Sequence, residues 1–336
     1  SELTNLVKNN KSELRQNYKA IINFDIFFSQ ALLAHKMSAV SILLKDQPTV
    51  ELRQARHPLL ALKEAKVVAN DIRLDPKKEK VLIISGPNAG GKTVVLKTLG
   101  LLSLMAKSGL LLPVQKDSEL FLFENTFVEM GDLQSISDQL STFSGHIKGI
   151  CEILNQAQSK DLVLIDEITM GTEPQTGAAL GQAIVEKIAK LNCYCLITTH
   201  YDLLKHLAFK NSKFKNASMQ YLKESLRPSY KMLEDIPGAS LGLELAARMG
   251  LDNEILTRAS ELRGQKVSNL DKIQIELQEV YEENQKRSKE ITELEIKKRQ
   301  EKAYWQEQTK LFKEQKQKLK EEAVRGFKNS FIALES

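Results

Sequence analysis

The sequence predicts an α/β fold in which a largely parallel sheet is covered by helices. Three apolar runs are typical of buried strands: "KVLIIS" at 80–85, "DLVLIDE" at 161–167 and "CYCLITTH" at 193–200. Helical segments lie between them, with "TVVLKTLGLLSLMAKSG" after the first run and "TGAALGQAIVEKIAKL" before the third. Because strands that alternate with helices and are apolar on both faces are typical of parallel sheets, this order indicates a doubly covered sheet.

Helices are predicted before the first of these strands. Residues 1–46 contain neither Gly nor Pro, and "FDIFFSQALLAHKMSAVSILL" keeps apolar residues at helical spacing. One or two packed helices are therefore expected, ending before Pro48. Between about 49 and 80, "TVELRQARHPLL" and "AKVVANDIRL" are predicted to be short strands.

The last third of the chain changes in composition. "SYKMLED" and Pro237-Gly238 precede two helical segments, "LGLELAARMG" and "LDNEILTRASELR". Residues 265–325 contain neither Gly nor Pro, are rich in Glu, Lys and Gln, and mix both charges evenly. An apolar seam follows heptad spacing at Ile273, Leu277, Val280, Ile291, Leu294, Trp305, Phe312 and Leu319, and is interrupted at Asn284, Arg287, Lys298 and Glu301. A weak coiled coil or projecting linker helix is favoured over a helix folded back on the domain.

Composition limits the class of protein. The 336 residues suffice for one large domain with appendages or two modest ones, and the net charge of +5 is too small to imply nucleic-acid binding unaided. Three cysteines argue against a disulfide scaffold and for a reducing, cytoplasmic compartment. Cys193 and Cys195 are expected to be plain strand residues rather than metal ligands. With no secretory leader and no apolar run of about twenty residues, no membrane span is expected.

The first strand runs directly into a glycine-rich loop with the pattern G-x-x-x-x-G-K-[ST]. The loop consists of Gly86, Pro87, Asn88, Ala89, Gly90, Gly91, Lys92 and Thr93. Glycines let several backbone N–H groups converge on phosphate oxygens, and the following helix adds its positive N-terminal end. Lys92 can then bridge the β- and γ-phosphates while the Thr93 hydroxyl reaches Mg²⁺. The loop therefore predicts a site for ATP with Mg²⁺.

Two carboxylates close the second strand. Asp166 and Glu167 follow an apolar run, and adjacent parallel strands end at the same edge of a sheet, so both are expected beside the phosphate loop. Asp166 is predicted to hold Mg²⁺, directly or through water, and Glu167 to orient or deprotonate the attacking water. His200 ends the third strand and could sense the γ-phosphate, although a lone histidine at a strand end is usually structural.

A Ser-rich segment, "QLSTFSGHIKG" at 139–149, enters a helix between these elements. The order of phosphate loop, Ser-rich helix start, Asp-Glu pair, polar loop and histidine resembles the ABC-type ATPases. That resemblance implies that Ser141, Thr142 and Ser144 complete the ATP site of the opposite subunit of a homodimer. It also implies a functional role for His200.

The motifs "GPNAGGKT", "LSTFS", "LIDE", "GTEP", "GAALG" and "TTH" together resemble the MutS family. Thr93 with "VVLKT", and "GDLQSISDQLSTFS", are similar to the bacterial branch that carries a C-terminal Smr nuclease domain, rather than to the mismatch-repair branch. The resemblance is to the C-terminal ATPase portion of such a protein. "KVVAN" lacks the aromatic ring that the mismatch-repair branch offers to the adenine, so base stacking must be looser or come from elsewhere.

The resemblance implies four regions: the helical end of a core or lever region at 1–47, an ABC-type ATPase domain at 48–230, a helix-turn-helix dimerisation module at 231–263, and a long charged helix or coiled-coil linker at 264–336. The module could instead be an ordinary helical cap. No Smr-type histidine motif follows the linker, so nuclease activity cannot be assigned to this chain.

The resemblance implies a dimeric ATPase that couples nucleotide state to clamping of branched DNA and suppression of recombination. The alternative is a ribosome-associated ATPase that separates stalled ribosomes, because both would use the same ATPase. A mismatch-repair protein or a chromosome-organising ATPase of the SMC type is less expected, since the long helix follows the whole ATPase instead of interrupting it. Lys205, Lys210, Lys213 and Lys215 could contact nucleic-acid phosphates or form a solvated face.

Overall fold

The computed structural model describes residues 2–64, 66–75, 78–87, 90–131, 139–222, 227–238 and 242–263, and a broken series of positions between 280 and 320. It divides into two compact units, Ser1–Gln274 and Ile275–Ser336. The described positions of the second unit are helical, and Val280, Ile291, Leu294, Trp305 and Phe312 are exposed there. The other seam positions, Ile273, Leu277 and Leu319, lie outside the described residues.

The helices of the first unit follow the chain in this order: α1 (Glu2–Asn9), α2 (Lys11–Met37), α3 (Pro58–Lys63), α4 (Lys92–Lys107), α5 (Gln139–Gln156), α6 (Pro174–Leu191), α7 (Asp202–Lys205), α8 (Leu207–Lys210), α9 (Gly242–Arg248) and α10 (Asn253–Arg263). In the part of the chain that the structure describes, no helix is both long enough and apolar enough to cross a membrane.

The strands form two sheets. They are β1 (Leu43–Lys45), β2 (Val50–Ala55), β3 (Asn70–Leu74), β4 (Val81–Ser85), β5 (Glu119–Phe121), β6 (Thr126–Met130), β7 (Leu162–Asp166), β8 (Tyr194–Thr199), β9 (Phe214–Leu222) and β10 (Arg227–Glu234). The smaller sheet has the order β1-β5-β2-β3 and the larger sheet the order β10-β9-β4-β8-β7-β6. From β9 to β6 every neighbouring pair of the larger sheet is parallel, and β10 adds an antiparallel edge.

The larger sheet is buried on both faces, which explains its continuous apolar strands. Leu82 and Ile84 of β4 face a core shared with α4 and the smaller sheet. Val81 and Ile83 face the opposite core, which α5 and α6 cover. Since both faces are buried, these strands do not alternate apolar and polar residues as a half-exposed strand does. The predicted α/β architecture is confirmed.

The two sheets also meet through one aromatic residue. Tyr194, at the start of β8, has no exposed side-chain surface, and its ring lies 5.5 Å from that of Phe123. Its hydroxyl donates to the carbonyl of Pro48, just before β2, at 2.7 Å. The strand at the centre of the larger sheet is therefore anchored to the smaller one.

Several details of the predicted fold are wrong. Helix α2 ends at Met37, where Ser38 adopts φ 48°, and Leu43–Lys45 is a strand rather than the end of a helix. Of α2 only Ala34 and Met37 are buried, so this helix is not the packed element that its apolar residues suggested. The "HPLL" end of the first short strand is helix α3, because Pro58 is favourable at the first position of a helix.

The sequence did not predict the order of the central strands. In the structure β8 lies between β4 and β7. The carboxylates at the end of β7 therefore face the loop after β4 across the end of β8. The two helices α9 and α10 occupy the region predicted to be a helix-turn-helix module and pack on each other.

Candidate functional site

The candidate site lies at the edge where the carboxyl ends of β4, β8 and β7 meet. Ser85 of β4 is in register with Thr199 of β8, and Ile165 of β7 is in register with Ile197 of β8. Each strand is followed by polar residues singled out in the sequence. Parallel strands end at one edge, so three chain segments that are distant in sequence place their side chains together there.

The loop after β4 begins and ends with glycines in the left-handed region. Gly86 has φ 124° and Gly91 has φ 95°, values that residues with a Cβ rarely adopt. Gly91 immediately precedes α4, so the first N–H groups of that helix open toward the loop. Asn88 and Ala89 lie outside the described residues. The described part of the loop has the backbone form that an anion-binding cradle requires.

Lys92 is the first residue of α4 and is almost fully buried, with 1% of its surface exposed. Its ammonium donates to the backbone carbonyl of Gly86. Burial lowers the pKa of Lys92, whereas the carboxylates of Glu167 and Asp166 act in the opposite direction and favour the charged form. An ammonium in this position lies inside the loop and close to both acids.

Asp166 is held by hydroxyl groups from two neighbouring segments. Thr93 donates to Oδ2 at 2.7 Å, and Thr198 donates to Oδ1 at 2.5 Å. Thr93 follows the loop and Thr198 belongs to β8, so the carboxylate joins the three segments of the site. Hydroxyl and carboxylate oxygens are the ligands that Mg²⁺ prefers.

The residues present fit a magnesium ion that shares its coordination with phosphates. In the described residues no group of three or more His, Cys, Asp or Glu could hold a metal ion by itself. Mg²⁺ in nucleotide sites is commonly held by one or two protein ligands, with phosphate and water oxygens completing its shell. Thr93 and Asp166 offer such a pair.

Glu167 occupies a strained turn directly after β7. Its φ is 49°, and its N–H donates to the Thr198 hydroxyl at 2.7 Å. Thr169, two residues later, also has a positive φ, of 59°. A non-glycine residue held in this region costs about 1–3 kcal/mol and is frequent at functional sites. Oε2 of Glu167 is buried and makes no hydrogen bond in the described structure, so this acid is available to a substrate atom.

His200 follows β8 directly, and its ring lies 4.4 Å from that of Tyr201. Although the side chain reaches solvent, the surrounding protein lowers its pKa, mainly through burial, while Glu167 acts to raise it. The neutral form of the imidazole is therefore favoured. Because His200 directly follows β8, it lies at the same edge of the sheet as Glu167 and Lys92, whose charges act on its pKa in opposite directions.

The Ser-rich segment forms the beginning of α5. Ser144 is exposed, and the side chains of Ser141 and Thr142 lie outside the described residues. Two residues after Ser144, His146 is buried and its Nδ1 lies 3.0 Å from Oε1 of Glu129 on β6. A Cβ at Gly149 would lie 1.8 Å from Oε2 of Glu129, so the glycine gives this carboxylate room against the helix. Glu129 and His146 thus fix α5 to the edge strand.

A cavity of about 380 Å³, which we call the Tyr230 pocket, opens beside Gly91. It is lined by Ala55, His57, Leu60, Glu64, Lys66, Val67, Val68, Asn70, Ile72, Gly91, Val94, Val95, Thr98 and Tyr230. Tyr230 lies where the pairing of β10 with β9 shifts register and has φ 59°. Its ring approaches Gly91, since a Cβ there would lie 3.2 Å from Cδ1 of Tyr230.

Two residues of the site, Thr198 and Tyr230, were not predicted from the sequence. The paired threonines of "ITTH" were a signal for the first, because hydroxyl groups at the end of a buried strand need partners. No local signal marked Tyr230, since its place depends on the pairing of β9 with β10.

Two of the four lysines proposed as phosphate contacts are buried in ion pairs. Lys205 lies 2.6 Å from Asp202, and Lys215 lies 3.2 Å from Glu234. For these two, both alternatives are wrong, because neither residue presents its charge on a solvated face. Lys210 and Lys213 are exposed, and both alternatives stay open for them.

Of the two cysteines expected to be strand residues, Cys195 lies in β8 and Cys193 directly precedes that strand. Both are free and buried, and Cys151 is free and exposed on α5. Burial raises the pKa of Cys193 to about 11 and raises that of Cys195 as well.

Comparison with known proteins places this site in a family. The family model described as MutS domain V matches residues 82–266. The chain is similar to proteins named endonuclease MutS2. It is 41% identical to that of Levilactobacillus brevis over 81% of this chain and 34% of the relative. It is 41% identical to that of Caldicellulosiruptor saccharolyticus over 83% of this chain and 35% of the relative. It is 38% identical to that of Leuconostoc mesenteroides over 93% of this chain and 39% of the relative. The chain spans about a third of the length of the curated relatives it matches.

Proposed function

Because this chain belongs to the MutS family, as the ATPase portion of its MutS2 branch, we propose that it binds and hydrolyses ATP to drive a dimeric DNA-binding protein. The observation that carries the proposal is the contact of Thr93 and Thr198 with the two oxygens of Asp166. It joins the phosphate loop to the acidic strand end, the two elements that a nucleotide-hydrolysing site needs.

Each residue of the site has a proposed role in ATP binding or hydrolysis. The backbone N–H groups of the loop and the start of α4 bind the phosphates, and Lys92 exchanges its carbonyl partner for a phosphate oxygen. Thr93 and Asp166 would hold Mg²⁺, which when bound neutralises charge on the phosphates. Glu167 orients and deprotonates the attacking water, and His200 contacts the γ-phosphate.

The Tyr230 pocket is proposed to hold the base. It begins at Gly91, so a nucleotide bound to the loop can reach it, and its walls include aliphatic side chains and the phenol ring of Tyr230. This supplies the ring that "KVVAN" lacks. Stacking on an aromatic ring is worth about 1–3 kcal/mol per base and tolerates different bases.

The second half of the site is proposed to come from a partner copy, through Ser141, Thr142 and Ser144 at the start of α5. Exposure of Ser144, on a helix fixed to β6 by Glu129 and His146, supports this arrangement. ATP would then lie in the dimer interface and favour a closed dimer. We further propose domain limits at 1–47, 48–230, 231–263 and 264–336, with 231–263 bracing the dimer.

In the whole protein, closure would clamp branched DNA and suppress recombination. The relatives are named as endonucleases, so the ribosomal alternative is not favoured. This chain is assigned the ATPase role alone, and the nuclease function named for those relatives is not transferred to it.

Two variants test the assignment of roles in the full-length protein. Lys92→Ala removes the phosphate-binding cation and is expected to abolish ATP binding. Glu167→Gln is expected to keep ATP binding, lose hydrolysis and accumulate a closed dimer. Lys210→Ala, at an exposed lysine of α8, is the matched control for Lys92→Ala. Hydrolysis at the wild-type rate by Glu167→Gln would remove Glu167 from the proposed role.

A mixing experiment tests whether the site is shared. Lys92→Ala and Ser141→Arg chains are each expected to be inactive. Randomly paired, half of the dimers are mixed and each holds one intact site, so about a quarter of wild-type activity should return. A mixture as inactive as its components would contradict the shared site.

A further inference from the structure

Gly238 lies with its backbone directly on the root of the phosphate loop. Its N–H donates to the Ser85 hydroxyl at 2.8 Å. A Cβ at Gly238 would lie 3.1 Å from Cα and N of Gly86 and from the carbonyl carbon of Ser85. These neighbours are backbone atoms, which cannot rotate away as a flexible side chain would. If the backbone at Ser85–Gly86 moves, Gly238 must therefore move with it, or the contact between them is lost.

Lys205 binds the carbonyl group of Gly238. Its side chain is 5% exposed, and its ammonium donates to the carbonyl of Gly238 at 2.7 Å and to Asp202 at 2.6 Å. The backbone carbonyl of Lys205 accepts a hydrogen bond from Asn216 at 2.8 Å. A buried ammonium without these partners would be costly, so the bond to Gly238 is a strong constraint.

The same contact touches residues that are proposed to bind the nucleotide. Lys92 donates to the carbonyl of Gly86, the residue on which Gly238 packs. Helix α7, which carries Lys205, begins two residues after His200. When Lys92 turns from the Gly86 carbonyl to a phosphate, the peptide under Gly238 loses a partner. A change in the loop therefore reaches Gly238 by direct contact.

Gly238 is also close in sequence to the C-terminal helices. Helix α9 begins at Gly242, and α9 and α10 pack on each other. We propose that Lys205 is a positioning residue that ties segment 236–238 to the phosphate loop and so transmits nucleotide state to α9 and α10. This inference rests on the proposed function, since it requires that the loop bind ATP.

The test uses hydrogen exchange on the full-length protein, with and without ATP and Mg²⁺. In the wild type, ATP is expected to change the exchange of peptides from Gly242–Arg263. In Lys205→Met this change is expected to fall about fivefold or more, while ATP affinity stays within about threefold of wild type. Lys210→Met is the matched control and should behave as wild type.

A second variant keeps the test decisive if Lys205→Met does not fold. Ser85→Ala removes the hydroxyl that receives the Gly238 N–H without leaving a buried charge, and it should reduce the same ATP-dependent change. The inference is overturned if the folded variants retain the full response of α9 and α10. It is also overturned if Lys205→Met loses ATP binding as completely as Lys92→Ala, because Lys205 would then act on phosphate.

Failure of the inference differs from failure of the proposed function. A wild-type protein that binds ATP at the loop but shows no change in 242–263 contradicts only the transmission through Gly238. A wild-type protein whose loop does not bind ATP contradicts the proposed function itself, and the inference falls with it.

Discussion

Thr198 donates its hydroxyl hydrogen to Asp166 at 2.5 Å, and the same oxygen accepts the backbone N–H of Glu167 at 2.7 Å. One side chain of β8 thus fixes both acids at the end of β7. Asp166 and Glu167 are proposed to act on different partners, the metal and the water, so their relative position matters for chemistry. The hydroxyl group of Thr198 therefore fixes the two acids relative to each other.

Thr198→Val is expected to slow hydrolysis more than it weakens ATP binding. Valine has nearly the same shape as threonine but lacks the hydroxyl group. Oδ1 of Asp166 and the N–H of Glu167 therefore each lose a hydrogen bond. Loss of these bonds costs about 1–3 kcal/mol of stability, and misplacement of the acids by about 1 Å should lower kcat about tenfold to a hundredfold. Steady-state ATPase kinetics and a nucleotide titration separate the two effects.

Ser103→Ala is the control for the loss of a buried hydroxyl, because Ser103 is buried in α4. It should lower the melting temperature modestly while kcat is unchanged. Equal kcat values for Thr198→Val and wild type would show that Thr198 does not position the acids.

Tyr230→Ala is expected to weaken ATP binding about tenfold or more, because the stacking partner of the base is removed. Tyr230→Phe keeps the ring and should bind as wild type does. A fluorescent ATP analogue measures both affinities. If triphosphate alone, which has no base, lost as much affinity as ATP in Tyr230→Ala, the ring would not be acting on the base.

Gly149→Ala and Gly145→Ala form a matched pair on one helix. A methyl group at Gly149 meets the carboxylate of Glu129, whereas no atom of the described residues lies within 4 Å of a Cβ at Gly145. Gly145→Ala should therefore stabilise α5 by up to about 1 kcal/mol, and Gly149→Ala should destabilise the protein. Thermal unfolding measures the difference. The Gly149 variant should also weaken ATP-dependent dimer formation, since it displaces the helix that carries Ser144.

Thiol labelling at pH 8 should distinguish the three cysteines. A pKa of about 11 leaves only about a thousandth of Cys193 as the reactive thiolate. The raised pKa and full burial of Cys195 protect it in the same way. Iodoacetamide should therefore modify Cys151 in the native protein and all three after unfolding, as mapped by mass spectrometry. Rapid native labelling of Cys195 would contradict its burial.

The strands that could be predicted from the sequence are those that need only apolar packing partners, whichever residues supply them. Strands β4, β7 and β8 are apolar on both faces, so any packing partner leaves the same pattern. By contrast, β9 contains Lys215 and Asn216, which are buried and donate to Glu234 and to the Lys205 carbonyl. A strand that depends on such distant partners carries no periodic signal and was not predicted.

The site shows the same division. Lys92, Thr93 and Asp166 could be predicted because each stands in a motif whose chemistry requires it, and their proximity follows from strand ends. The order of strands does not follow, since periodicity does not say which strand neighbours which. The insertion of β8, and with it the role of Thr198, therefore could not be predicted. Tyr230 depends on a register shift between two strands and was hidden for the same reason.

Strand β8 leaves the ribosome after both of the strands that it separates. During synthesis β4 and β7 emerge first, with more than a hundred residues of chain still to be added before the first unit is complete, and nothing yet lies between them. Pairing of β4 with β7 at that stage would have to be undone before Tyr194–Thr199 could enter. Productive folding therefore requires that β4 and β7 stay unpaired until β8 has been synthesised. The phosphate site accordingly forms late in folding. Mutations that strengthen premature pairing of β4 with β7 should lower the yield of active protein without changing the native structure.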